Sequence, residues 1–465
     1  MERRPRALAI ACNFPPDASV GTMRTLRLVR HLTACGWDVA ALTVAPDGFR
    51  TGTVVDAALL EKVPADVAVV RAWPLRPFER LTAVLKRLRG SRPPLQRSGG
   101  SKASAAPPAT ASPSALSRVR RAVSAALATP DREASWILPA IWKGWRHAHA
   151  NRPDVVYSSG PPFSAHLVGA ALARLLRVPW VVDFRDPWAR APWREDRFEF
   201  ERSAWAALER FVVRRANAVV FVTDTNRQDF ARQYGAAAAR FSLVPNGCEV
   251  RDFDGLTRRP SAGRFVMLHA GSLYGARNPA TLFRALAAAI AKGRIDPATF
   301  RLRFIGRLGV PGVDLPAVAG ELGLQSVVEF AQHMPRRDSL QEMVDASALL
   351  IVQPITTVSI PAKLYEYMAA GRPILALAEP GGETAALVTR ARAGLAVLAD
   401  DQAAIEEALE SVVRLASQGF APVDRREFDG EIRAAELRAV LEGARDAMAT
   451  RTAAAHGAPT AGASR

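Results

Sequence analysis

The chain has 465 residues, 49% hydrophobic and 23% charged, with a formal net charge of +17. Such a length exceeds one compact core and points to two domains, while the composition excludes global disorder, a collagen-like chain and a coiled coil. No stretch approaches the roughly 18 consecutive apolar residues needed to span a bilayer.

The first segment, Glu2-Arg3-Arg4 followed by Ala7 to Cys12, has the outline of a secretory leader. Its apolar run is short, lacks a small-residue cleavage site and stops at Asn13-Phe14-Pro15-Pro16, so it reads as a first strand, Arg6 to Cys12. A helix follows over Thr22 to Ala34 and a second strand over Trp37 to Val44. Further on come a strand at Asp154 to Tyr157, a helix at Ser164 to Leu176 and a strand at Trp180 to Asp183. A helix at Glu201 to Arg215 and a strand at Ala218 to Val222 complete the half. Apolar strands alternating with amphipathic helices predict a parallel sheet covered on both faces.

The second half repeats the scheme. Strands are expected at 265–269, 302–305, 327–330, 348–352 and 373–376, with helices beginning near Asn278, Ser339, Pro361 and Gly382. The fold class is therefore α/β with two Rossmann-like domains, 1–255 and 256–425, joined where Asp252, Asp254, Gly255, Pro260 and Gly263 cluster. A last helix over 427–448 is followed by a tail, 450–465, whose Ala, Gly, Thr and Ser predict disorder.

Charge is concentrated in one place. From Arg71 to Arg121 twelve Lys or Arg face one acid, Glu79, a net of +11. Residues 90–117 are nearly devoid of large apolar side chains, so a flexible basic insertion is expected over about 76–130. Basic amphipathic flanks suit either an anionic membrane surface, met through 76–121, or a solvated hairpin on the first domain. No nucleic-acid recognition module is visible, and nucleic acid is not an expected partner. Cys12, Cys35 and Cys248 lie far apart with no zinc spacing, so a reduced cytoplasmic protein is expected.

Four stretches carry chemistry. Asp183-Phe184-Arg185-Asp186-Pro187-Trp188 ends a strand; Val244-Pro245-Asn246-Gly247-Cys248 precedes the joint. Ala270 to Pro279 links the first strand and helix of the second domain. Ser359-Ile360-Pro361-Ala362-Lys363-Leu364-Tyr365-Glu366-Tyr367-Met368-Ala369-Ala370-Gly371-Arg372-Pro373 runs from a Pro-started helix into a strand. Together, in this order, they resemble the family-4 retaining glycosyltransferases of GT-B fold, most of all bacterial members that build cell-surface glycans. The resemblance implies a nucleoside-diphosphate-sugar donor, a hydroxyl acceptor on a glycan or lipid, no metal and no cofactor beyond the donor. It implies that Glu366 holds the ribose hydroxyls and that the helix start at Ser359, Ile360 and Pro361 faces the phosphates. Arg277, with Arg307 and Lys363 as further cations, would meet the leaving diphosphate. Gly21 at the first helix and Asn246 in the Pro-Asn-Gly turn complete the donor candidates. Asp186 would orient the acceptor hydroxyl or pair with Arg185.

The chain also departs from the pattern. Ser272 stands at the place of a second cation, and Val358 where many members carry an earlier Glu that touches the sugar. His166 lies beyond the loop after Tyr157 and reads as structural. Trp136, Trp142, Trp145, Trp188 and Trp193 suit either a groove for acceptor or lipid or core packing. An epimerase of the same architecture and an inactive nucleotide-sugar-binding scaffold remain as alternatives. The expected location is the cytoplasm, with peripheral attachment to the inner membrane face through the basic segment.

Overall fold

The structure, a computed structural model, describes residues 3–75, 125–126, 128–192, 198–259, 261, 263–332 and 334–457. Most of the basic insertion, together with Trp193, lies outside these residues. Seven parallel strands form the first sheet: β1 (Arg6–Ile10), β2 (Asp38–Val44), β3 (Ala68–Ala72), β4 (Val155–Gly160), β5 (Trp180–Phe184), β6 (Ala218–Phe221) and β7 (Phe241–Leu243). Their spatial order is β3-β2-β1-β4-β5-β6-β7. Strand side chains alternate in direction, so each apolar strand feeds two cores. Leu8 and Ile10 of β1 pack with Ala140, Leu172 and Val212 on one face. Ala7 and Ala9 pack with Leu28, Val29 and Leu32 on the other. The covering helices are α1 (Val20–Ala34), the short α2 (Ala58–Glu61), α3 (Ile137–Ala150), α4 (Ser164–Leu176), α5 (Glu199–Arg215) and α6 (Asp224–Tyr234).

The second sheet contains β8 (Phe265–Ala270), β10 (Phe300–Ile305), β12 (Val328–Ala331), β13 (Ala348–Gln353), β14 (Ile374–Ala378) and β15 (Gly394–Val397), ordered β12-β10-β8-β13-β14-β15. Two short strands, β9 (Leu273–Tyr274) and β11 (Leu308–Gly309), pair with each other just after the carboxyl ends of β8 and β10. The same alternation sends Leu350 and Val352 of β13 to one core and Leu349 and Ile351 to the other. Its helices are α7 (Ala280–Ala291), α8 (Leu315–Glu321), α9 (Arg336–Asp345), α10 (Ala362–Ala370), α11 (Glu383–Arg390) and α12 (Gln402–Ser417).

The last helix, α13 (Gly430–Gly457), returns to the first domain, where Leu437, Leu441 and Ala444 join the α1 core. It runs past Thr450 and so corrects the expectation of a tail disordered from 450. Its last described turns are rich in alanine, the strongest helix former. Of the expected tail, residues 458–465 lie outside the described residues. The return is fastened at Gly247: Cys248 N donates to Phe428 O and Gly430 N donates to Cys248 O, both at 2.8 Å. A Cβ on Gly247 would lie 2.7 Å from the Phe428 carbonyl oxygen. Gly247→Ala is therefore expected to destabilise by about 1–3 kcal/mol, as overpacking does. Differential scanning calorimetry checks this, an unchanged Tm being the contrary result.

Candidate active site

Strand order reverses between β1 and β4 in the first sheet and between β8 and β13 in the second. At such switch points adjacent loops diverge and leave a crevice beyond the carboxyl ends of the strands. The sequence-predicted stretches fall there. The loop after β8 carries Gly271 to Asn278, and the loop after β13 runs from Pro354 to Pro361, where α10 starts.

In the second domain, three predicted residues meet at one place. Arg277 donates from Nε and Nη2 to the Gln353 side-chain oxygen at 3.0 and 2.7 Å. Its guanidinium carbon stands 4.2 Å from the Tyr274 ring centre. Gln353 reaches Ser359 Oγ at 3.4 Å, Ser359 Oγ lies 3.1 Å from Thr356 Oγ1, and Thr384 Oγ1 donates to Ser359 O at 3.0 Å. The start of α10 is thus held by side chains. Lys363, on its first turn, folds beneath the β8 loop. Gly271 has φ +140°, and a Cβ there would overlap the Lys363 ammonium. Burial, then the charge of Arg277, pull the Lys363 pKa down to about 8, with Glu366 acting the other way. Two cations are thereby held within electrostatic reach at a helix N-terminus, which suits a polyanion.

Arg307 follows β10. Its side chain is exposed, and its carbonyl accepts from Leu273 N at 2.9 Å. Ser272 and Val358 supply no charge; Val358 O instead accepts from Thr223 Oγ1 of the first domain at 2.8 Å. Thr225 N donates to Glu383 Oε1 at 2.7 Å, a second bond between the domains. Ile355, in the same loop, has φ 66° and is 65% exposed, a strained conformation for a β-branched residue.

Glu366 does not pair with Lys363 at i−3, which is the bland surface pairing its position suggested. It accepts from Arg336 Nη1 at 2.8 Å, and Arg336 Nε donates to Asp252 at 2.9 Å. Lys62 of the first domain stands 3.7 Å from Asp252. Burial opposes the Arg336 charge, but Glu366 and Asp252 outweigh it and raise its pKa. The Glu366 side chain is 22% exposed. The carboxylate thus sits at the junction of the two domains, oriented by a guanidinium.

The first-domain side is organised by Asp183. Fully buried, it accepts from Arg24 Nε and Nη2 at 2.7 and 2.9 Å, Tyr157 OH at 2.6 Å and Ser159 Oγ at 3.0 Å. Arg24 also donates to Val244 O, Pro245 O and the Asn246 side-chain oxygen. The Pro-Asn-Gly turn therefore meets α1 through Arg24, and that is where Asn246 is engaged. Gly21 lies under the Arg185 guanidinium, which a Cβ would overlap. Burial lowers the Arg185 pKa, with Asp186 the strongest opposing charge, so Asp186 and Arg185 are close neighbours.

His166 is buried among Phe163, Phe184 and Trp188, and burial pulls its pKa down to about 3. Trp180 Nε1 donates to Ser158 Oγ, so the Ser158 hydroxyl is free to donate to His166 Nδ1, 2.9 Å away. A neutral ring in this packing fits the structural reading. Of the described tryptophans in that set, Trp136 and Trp188 are fully buried, while Trp142 and Trp145 are exposed, so these four share no groove. A cavity of about 220 Å³ lined by Arg6, Asp38, Asp66 and His147 lies at the opposite, amino-terminal ends of β1 and β2 and takes no part here. Among the described residues no cluster of His, Cys, Asp and Glu could hold a metal, and no helix is long and apolar enough to cross a membrane.

Residues 100–252 match the family described as Glycosyltransferase Family 4, and residues 264–414 match Glycosyl transferases group 1. The chain belongs to the family-4 glycosyltransferases. A D-inositol 3-phosphate glycosyltransferase of Nocardiopsis dassonvillei is 28% identical over 191 residues, covering 38% of this chain and 43% of that one. Its namesake in Gordonia bronchialis is 29% identical over 230 residues, 45% and 48% of the two chains. The chain thus spans less than half the length of these curated relatives. The solved structure of WaaG, a glycosyltransferase involved in lipopolysaccharide biosynthesis, superposes with a TM-score of 0.53 at 16% identity, covering 95% of this chain and 99% of that one. The fold of this family-4 member is GT-B, as its resemblance implied.

Sequence reading missed Gln353, His269 and Arg336. The first two had a signal: each is a polar residue near the carboxyl end of an apolar strand, at the switch point. His269 is buried, donates from Nδ1 to Leu350 O at 2.9 Å if that nitrogen carries the proton, and has its pKa pulled down to about 3 by burial. Arg336 had none, because its partner Glu366 is distant in sequence.

Lys363 gives a pH prediction. Its ammonium exists below about 8, so affinity for a nucleoside diphosphate is expected to fall as pH rises through that value. The unfolded residue titrates near ~10.4. Between the two values the unfolded chain binds more protons, so this group's contribution to stability increases with pH across that window. Calorimetric titration of nucleoside diphosphate from pH 7 to 9, as round values about the pKa of ~8, should show the break in the wild type and lose it in Lys363→Met.

Proposed function

We propose that this chain transfers a sugar, with retention, from a nucleoside-diphosphate-sugar to a hydroxyl acceptor, without metal or further cofactor. The observation that carries this reading is the pairing of Lys363 and Arg277 at the start of α10, in the crevice at the β8/β13 switch point. Leaving-group charge develops on the diphosphate as the bond to the anomeric carbon breaks. Fixed cations and helix-end N–H groups stabilise that charge without reorganising. Glu366 accepts from the ribose diol, and Arg307 adds a cation where Ser272 supplies none. The bond from the anomeric carbon to the acceptor oxygen forms on the same face, and the acceptor proton leaves with the diphosphate. Asp186 orients that hydroxyl from the first domain. Catalysis rests on positioning and electrostatics rather than on an enzyme nucleophile.

The setting is cell-surface polysaccharide or glycolipid assembly at the cytoplasmic membrane face, with a glycan or lipid-linked acceptor. The names of the curated relatives add an inositol phosphate to the acceptors worth testing. A thermal-shift screen of the full chain against a nucleotide-sugar panel tests the reading, since a ligand that binds only the folded state raises Tm. One nucleotide-sugar is expected to raise it and then to be consumed only with acceptor present. Conversion without acceptor would favour an epimerase, and binding without turnover across the acceptor panel a scaffold. No shift with any member would remove the donor site.

A further inference from the structure

His269 is the polar residue of an apolar strand. It stands next to last in β8, one of the two central strands of the second sheet, and is 2% exposed. The backbone pairing of β8 with β13 ends at Leu268 and Leu349. One residue further on the ring takes up the contact, with Nδ1 2.9 Å from Leu350 O. A carbonyl oxygen only accepts, so Nδ1 carries the proton. Leu350 and the Gly271 backbone favour a charged ring, but burial and the charges of Lys363 and Arg277 outweigh them. The ring is therefore neutral and Nε2 keeps its lone pair. That nitrogen is buried and has no hydrogen-bond partner among the described residues. A buried acceptor without a donor is costly and rare.

A donor stands at the same strand end. Lys363 is the strongest charge acting on the ring, and its ammonium packs against Gly271, two residues beyond His269. That ammonium makes no hydrogen bond or ion pair with a described residue. The other ionisable groups around the two are already engaged. Arg277 is held by Gln353 of β13, Glu366 by Arg336 of α9, and the Tyr367 hydroxyl of α10 accepts from Ala270 N at 2.8 Å. On the β10 side Phe304 packs against the ring, centroids 5.8 Å apart.

We propose that His269 is a positioning residue for Lys363: its Nε2 accepts one ammonium N–H, holds the side chain beneath the β8 loop and leaves the other two N–H groups for a ligand. A hydrogen bond from the charged donor to a neutral acceptor favours the ammonium over the amine. It opposes burial and Arg277, which both push Lys363 toward the amine. His269 thereby keeps the cation charged near neutral pH. Its use in binding a diphosphate rests on the donor reading proposed above; the pairing with Lys363 does not.

The test follows Lys363 itself by nuclear magnetic resonance, in the full chain without nucleotide and with lysine labelled at Cε. The chain has six lysines, and Lys363→Met identifies the signal. Wild type is expected to titrate at about 8. His269→Asn retains a donor for Leu350 O but has no atom at the Nε2 position, and Lys363 should titrate about one pH unit lower. His269→Gln places an acceptor at the Nε2 position and should restore the wild-type value. A folded Asn variant in which Lys363 titrates as in wild type would overturn the proposal, since a histidine that only ties β8 to β13 gives that result. Equal lowering by Asn and Gln would overturn it in favour of packing. Should neither variant fold, the imidazole nitrogen resonances of wild type decide. A protonated Nδ1 and an Nε2 signal that moves in Lys363→Met are expected; a protonated Nε2, or a signal that stays, overturns the pairing. Nucleoside-diphosphate affinity of the same variants should follow the Lys363 titration. A titration that moves while affinity does not would remove the donor site and not the pairing.

Discussion

Glu366→Ala is expected to weaken nucleotide-sugar binding by about tenfold or more, equivalent to about 1.4 kcal/mol or more. The carboxylate can accept two hydrogen bonds from a diol, and it is already oriented by Arg336 at 2.8 Å. Hydrogen bonds to a charged acceptor each contribute about 1.5–3 kcal/mol, so loss of two should exceed the tenfold mark. Arg336→Ala should reproduce part of the loss, because it frees Glu366 without removing it. Isothermal calorimetry with the donor found by the thermal-shift panel measures both. Unchanged affinity in Glu366→Ala would take the residue out of the site.

The second large effect is on stability. Asp183→Ala removes the carboxylate that four donors converge on and leaves the Arg24 guanidinium buried without its counterion. Breaking a buried pair from one side costs about 3–5 kcal/mol. That is a large share of the ~5–15 kcal/mol that holds a typical domain folded, so the first domain is expected to unfold at a much lower temperature or to fail to fold. The pH dependence follows from the same pair. Burial by itself would raise the Asp183 pKa, yet Arg24 outweighs burial and holds it below the ordinary carboxylate value. A group with a depressed folded pKa stabilises fully above its unfolded value, near ~3.9, and loses that contribution as pH falls through the folded value. Acid unfolding monitored by circular dichroism should therefore have a steep wild-type limb below that pH. A variant that folds normally and melts with wild type would show the pair to be dispensable.

The central elements of both sheets were legible because burial on both faces demands continuous apolar runs. The strand at 180–184 and the helix at 164–176 appear almost as the residues predict. Edge strands were not. β3 and β15 are mostly half-exposed and carry no such run, and β7 is three residues long. The α3 helix was obscured because its buried face is Ala and Gly while its large aromatic residues point outward, the reverse of the usual amphipathic pattern. In the site, Arg277, Lys363, Ser359 and Glu366 were found through the motif that carries them. What surrounds them was not, since Gln353 on Arg277 and Arg336 on Glu366 are contacts made by folding across long separations. Gly21 and Asn246 show the converse. Their positions follow the family resemblance, but the local structure ties them to Arg185 and Arg24.

The most direct measurement is a crystal structure of the full chain with the nucleoside diphosphate of its donor. The ribose hydroxyls are expected on Glu366, turned from or shared with Arg336, and the phosphates between Lys363, Arg277 and the first turn of α10. A nucleotide held at the β1/β4 crevice of the first domain, with Glu366 still closed on Arg336 and Lys363 untouched beneath Gly271, would contradict it.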